Sequence, residues 1–346
     1  MRVLRAVAVV VCLIAAGCGG VKTTTSPAAK PETRTLVHAG DCIAKEIDLR
    51  YDVAPDFNTG VDCRKPHIYE VSDVIDVPER FLRGKTSKAK LANREALGAR
   101  AEISQLFPDK FREFADAECG LAALKSAGLG RLKIAGKSLK EAGAELVMGG
   151  AEPWINLSAP ADWIDGREKL ICSIRFTEHI TDEGVYVAPD PISAKTGRPA
   201  FHDFLTDNFP AVRRQCVTYD SQDRYGLSPC TKHHYGEIFF SYDAAAVFGR
   251  KFVESMDIDD PDDAGWEKLG DPCFEGLPAL IGSDLDEDLS GAADLGTQGW
   301  YEDSPVFTTY CIAIPYESED FDLPAGSLVE NSANVDFVRI SKGQDT

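Results

Sequence analysis

Two stretches carry cysteine, histidine and glutamate at the same intervals: Cys63-Arg64-Lys65-Pro66-His67-Ile68-Tyr69-Glu70-Val71 and Cys230-Thr231-Lys232-His233-His234-Tyr235-Gly236-Glu237-Ile238. A thiol, an imidazole and a carboxylate are the groups that ligate metals, move protons or close disulfides, so chemistry is sought here first. His67 with Glu70, and His234 (or His233) with Glu237, could form metal sites or acid–base pairs. On an extended chain, however, His67, Tyr69 and Val71 share one face while Ile68 and Glu70 share the other. Positions three apart then diverge unless a bulge or turn intervenes, and a structural role is expected for all four residues. Each His would be hydrogen-bonded beside its disulfide, and Glu70 would pair with Arg167 or a backbone amide. No metal site and no cofactor is expected.

Other fragments carry less. Ser87-Lys88-Ala89-Lys90 and Lys195-Thr196-Gly197 imitate two elements of penicillin-binding enzymes, but the middle Ser-Asp-Asn element is absent. Asp284-Leu285-Asp286-Glu287-Asp288 begins like a calcium loop, yet Leu289 stands where glycine is needed and Leu295 where a bidentate glutamate belongs. Solvated acidic loops are the expectation there. No nucleophile elbow, zinc-protease helix or phosphate loop occurs in the sequence.

The elements that must position the motif repeat with it. Cys42 and Cys216 precede the two copies; Cys119 and Cys273, then Trp163 and Trp300, then Cys172 and Cys311 follow in the same order. The chain reads as a degenerate tandem duplication. Residues 38–186 and 201–346 are expected as two domains joined by a proline-rich linker, 187–200. Ser87 to Leu106 reads as a helix. A second helix starts near Pro108, buries a stripe of Phe111, Ala115, Cys119 and Ala122, and stops at Gly128-Leu129-Gly130. Leu170 to Thr177 reads as a strand with Cys172, Ile174 and Phe176 on one side, and Asp243 to Met256 as a helix with an Asp N-cap. The fold class is therefore α+β: two tandem disulfide-stapled domains, each an antiparallel sheet packed with one or two helices.

The N-terminus addresses the chain to export. Arg2 and Arg5 lead an apolar run, Ala6 to Ala16, too short for a span of about 20 residues, and Ala15-Ala16-Gly17-Cys18 closes it. Residues 1–17 resemble a bacterial lipoprotein signal, which implies lipidation of Cys18 and an anchor on the extracytoplasmic face of the membrane. Residues 18–37 read as a flexible tether. Removing Arg2 and Arg5 takes the formal charge from −19 to −21. So acidic a chain is a poor partner for nucleic acid. Of ten cysteines, setting Cys12 and Cys18 aside leaves eight, four per repeat, in an oxidising compartment. Disulfides are expected, and pairing of neighbours is the simplest scheme: Cys42–Cys63, Cys119–Cys172, Cys216–Cys230 and Cys273–Cys311. The sequence lacks the Cys-x-x-Cys knuckles that favour zinc.

Gly40-Asp41-Cys42, Cys63-x-x-x-His67-x-x-Glu70-Val71, Trp163-x-x-Gly166-Arg167 and Cys172 together resemble the septum-formation domain family of exported actinobacterial proteins. The second copy keeps the cysteines, His234, Glu237 and Trp300, but has Tyr301-Glu302-Asp303 in place of the Gly and Arg. The resemblance implies a cell-envelope role linked to cell division and supplies no catalytic residues. The expected function is a non-catalytic binding or scaffold module, its partner an envelope protein or cell-wall component. The alternatives are an envelope enzyme, such as a wall hydrolase with a site between the halves, or a solute- or metal-binding lipoprotein.

Overall fold

The computed structural model describes residues 37–44, 60–103, 109–177, 179–180, 186–187, 191–205, 214–219, 225–257, 264–281, 289–295, 307–315, 321–322 and 338–339. Cys18, the signal, the tether up to its last residue, Trp300 and the 284–288 acidic run lie outside them; Val37, at the end of the tether, is described and buried.

The first repeat builds a five-stranded antiparallel sheet from β1 (Cys42–Ile43), β2 (Gly60–Val61), β3 (Tyr69–Asp76), β7 (Ala151–Leu157) and β8 (Lys169–Phe176), in the order β2-β1-β3-β8-β7. Between β3 and β7 run α1 (Ser87–Ile103), α2 (Lys110–Ser126) and the short strands β4 (Lys133–Ile134), β5 (Lys137–Ser138) and β6 (Glu145–Leu146); α3 (Pro160–Ile164) joins β7 to β8. A small ribbon, β9 (His179–Ile180) with β10 (Tyr186–Val187), follows.

The second repeat has the same plan. Its strands β11 (Gln215–Tyr219), β12 (Tyr225–Pro229), β13 (Gly236–Asp243), β14 (Leu289–Asp294) and β15 (Thr308–Pro315) take the order β12-β11-β13-β15-β14. Helices α4 (Ala244–Phe248), α5 (Arg250–Val253) and α6 (Ala264–Ile281) stand between β13 and β14, and β16 (Phe321–Asp322) pairs with β17 (Val338–Arg339) beyond. Register is also duplicated: Cys42 lies opposite Glu70 and Cys216 opposite Glu237. Each central strand slips at the same place after its glutamate, between Val71 and Asp73 and between Ile238 and Phe240.

Local sequence accounts for much of this. Asp109 caps α2 by accepting from the Phe111 N–H at 2.8 Å, and the helix closes where the N–H groups of Gly128 and Leu129 return to the carbonyls of Lys125 and Leu124. Its stripe of Phe111, Ala115, Cys119 and Ala122 is buried against β8, whose Leu170 and Cys172 join the same cluster. The Asp243–Met256 helix is corrected to two: Asp243 caps α4 as expected, but Gly249 takes φ 91°, a left-handed turn that ends α4 before α5 begins.

All four disulfides join neighbours, at Cα–Cα distances of 4.9 to 5.3 Å. Cys42–Cys63 and Cys216–Cys230 tie the second strand of each sheet to its turn, and Cys119–Cys172 and Cys273–Cys311 bolt α2 to β8 and α6 to β15. The second copy is tighter, its loops separated by 14 and 38 positions against 21 and 53. Chain entropy makes loops of this size worth roughly 3–4 kcal/mol each.

The two halves share one core. A single apolar cluster runs from Leu124, Ile134, Ile174 and Phe176 through Phe201 and Phe204 to Phe240, Leu269 and Phe307. Strand β6 of the first half pairs with Phe240 and Ser241 of β13, and Asp243 donates its N–H to Ala142 at 2.9 Å. Among the described residues, no helix is long and apolar enough to cross a membrane.

Candidate functional site

The repeated motif forms a buried knot in each half. In the first, the chain turns at Cys63–Lys65 and His67 makes an isolated bridge with Ile192, its N–H and C=O each paired at 2.9 Å. Strand β3 begins only at Tyr69. The alternation of a strand therefore does not hold from His67 to Glu70, and the turn that the expectation of divergence excepted brings the two together: His67 Nε2 lies 2.8 Å from Glu70 Oε1. His67 Nδ1 contacts the Lys65 carbonyl at 2.8 Å. Glu70 also accepts main-chain N–H groups, Ala200 on Oε1 at 2.6 Å and Phe201 on Oε2 at 2.9 Å. Both side chains are 0% exposed.

Hydrogen-bond bookkeeping defines the pair. A carbonyl oxygen only accepts, so His67 Nδ1 donates to Lys65, and Nε2 is the ring nitrogen that meets Glu70. The imidazole and the carboxyl group close on each other, and the first amides of the turn Ala200–Asp203 hold the carboxyl group in place. Glu70 thus pairs with backbone amides as one of its two expected partners. Arg167, the other, instead pairs with Asp162 at 2.9 Å and Asp165 at 3.3 Å. Trp163, on α3, is fully buried in the cluster around Phe111 and Cys172 and stands on a different element from the knot.

The second knot has the same members and a different counter-charge. His234 Nδ1 lies 2.7 Å from the Lys232 carbonyl, as His67 does to Lys65. Glu237, 0% exposed, accepts from Arg214 Nη1 at 3.1 Å. Arg214 is itself buried, donates from Nη2 to the Phe204 carbonyl and lies with its guanidinium 4.8 Å from the Phe204 ring centre. One ligand-type atom from each of Cys216, Cys230, His234 and Glu237 falls within 4.8 Å of the others; in the first half the same is true of Cys42, His67 and Glu70. The sequence reading missed Arg214. A buried glutamate demands a cation, but nothing in the spacing of Arg214 from Glu237 marks it as that cation.

Residues 191–200, the described part of the expected linker, are part of the first knot. Within it Ile192 bridges His67, Ala194 donates its N–H to Cys63 at 2.8 Å, and Ala200 binds Glu70. Elsewhere, a recess of about 180 Å³ between α2 and the chain leading into β6, lined by Asp116, Leu121, Lys140 and Glu145, is smaller than ordinary small-molecule sites of roughly 300–1,000 Å³. Comparisons of the chain with known protein families, with characterised proteins and with solved structures find no match.

Proposed function

We propose that the protein is a lipid-anchored, extracytoplasmic binding or scaffold module of the cell envelope, attached through Cys18, in which the duplicated motif is architectural. One observation carries this reading: His67, Glu70, His234 and Glu237 are all 0% exposed. A general acid, base or nucleophile must come within hydrogen-bond reach of its substrate, and groups sealed in a core do not. The rigid, stapled core leaves recognition to the surface, and the resemblance to septum-formation domains points that recognition toward cell division.

Crosslinking on living cells, with identification of the captured envelope protein or wall component, tests the reading. His67→Ala and Glu70→Ala should lower the melting temperature and reduce capture only in proportion to unfolding. A variant that melts like the parent yet captures nothing would instead make the motif a functional site.

A further inference from the structure

The second knot gathers a complete ligand set for a borderline-soft cation, held shut by its own disulfide. We propose that Cys216, Cys230, His234 and Glu237 form a redox-gated zinc site, closed while Cys216–Cys230 is oxidised and able to take one Zn²⁺ when a dithiol or phosphine reduces it. Four atoms within 4.8 Å of one another fit inside a sphere of about 3 Å radius, and zinc needs ligands at about 2.0–2.3 Å, so small side-chain shifts suffice.

The surroundings favour the ion. Since a carbonyl oxygen only accepts, the 2.7 Å contact with Lys232 places a proton on His234 Nδ1 and leaves Nε2 as the ligating nitrogen of the neutral ring. This is the outer-shell bond that metal-binding histidines use for orientation. Arg214 orients Glu237 in the same way. Charge balances in both states: oxidised, Arg214 offsets Glu237; reduced and loaded, two thiolates offset Zn²⁺ while Arg214 still offsets Glu237. A buried cluster with no net charge avoids the desolvation penalty that an isolated ion would meet.

The steps balance. Two electrons from the reductant and two protons reach the S–S bond, giving two thiols; a dithiol leaves as its own disulfide, and a phosphine leaves as its oxide, water supplying the oxygen and the two protons. Zinc binding then displaces both thiol protons to solvent. Reoxidation by a small-molecule disulfide, which takes the two electrons and leaves as two thiols, restores the Cys216–Cys230 bond and releases the ion. The first knot does not follow, because its gathered set is three residues, Cys42, His67 and Glu70. There His67 Nε2 and Glu70 are engaged with each other, and Glu70 also with Ala200 and Phe201. One ion per chain is therefore expected.

The test refolds the reduced full chain anaerobically with a phosphine and Co²⁺ as the probe. Expected is a folded chain, judged by near-ultraviolet circular dichroism, saturating at one Co²⁺ with thiolate-to-cobalt charge-transfer and tetrahedral ligand-field absorption. Zn²⁺ should displace these bands and reoxidation abolish them. The double variant C42S/C63S should keep them, C216S/C230S should lose them, and His234→Ala or Glu237→Gln should weaken binding by about tenfold or more. Failure to obtain a folded cobalt-bearing chain, saturation at two ions, or bands that survive in C216S/C230S overturns the proposal.

Discussion

Glu70 Oε2 accepts the main-chain N–H of Phe201 at 2.9 Å, across 131 positions of sequence. The turn that presents Phe201 reaches the other half as well, since the Phe204 carbonyl accepts from Arg214, the cation of Glu237. One short turn thus holds both buried carboxylates, its N–H end on the first and its C=O end, through Arg214, on the second. Such a clasp couples the repeats energetically, and the shared apolar cluster does the same.

Coupling of this kind predicts a single transition. Glu70→Gln should lower stability by about 1–3 kcal/mol, the usual effect of leaving buried partners without a full acceptor. Denaturant unfolding followed by tryptophan fluorescence and by circular dichroism should give coincident curves for parent and variant. Two separated transitions in the parent would contradict the shared core.

Arg214→Met removes the buried guanidinium that pairs with the buried Glu237 and should cost about 3–5 kcal/mol. The double variant R214M/E237M, which removes both charges, should recover much of that loss. A double-mutant cycle by urea unfolding checks this, and an Arg214→Met chain as stable as the parent would refute it.

Gly291 lies where α6 packs backbone-on-backbone against β14. A Cβ there would stand 2.6 Å from the carbonyl carbon and oxygen of Cys273, closer than atoms tolerate. Gly291→Ala must push α6 away from β14 against the hold of the Cys273–Cys311 bridge and is expected to cost about 1–3 kcal/mol. Differential scanning calorimetry should show the melting temperature fall.

Tyr242 is buried and donates to the Leu269 carbonyl at 2.7 Å. Burial raises its phenol well above the ordinary value of 10.0. The unfolded chain therefore loses this proton first, so the contribution of Tyr242 is intact below about pH 10 and declines as pH rises toward the folded value. Tyr242→Phe should be less stable than the parent at neutral pH yet lose stability less steeply above pH 10. Parallel slopes in alkaline urea titrations would rule this out.

Cys18→Ala should release the protein from membranes or leave the precursor uncleaved. Fractionation and mass determination decide it; unchanged size and membrane retention would remove the anchor from the proposed function.

What depends on short-range rules and on the repeat was legible in the order of residues alone. Apolar spacing and caps placed α2 and its Cys119 stripe. The matched cysteine order predicted the four neighbouring disulfides, and together these defined an α+β chain with a doubled plan. The site, by contrast, came from packing. Strand alternation predicted that His67 and Glu70 diverge, but the chain bends before β3, a feature a period-two rule does not contain. The prolines of 187–200 marked it as a connector, while packing made it a partner of His67, Cys63 and Glu70. The cation of Glu237 came from Arg214, outside the motif altogether. A buried carboxylate must find donors wherever docking brings them, and which distant amides or guanidinium arrive is a property of the closed core rather than of local spacing.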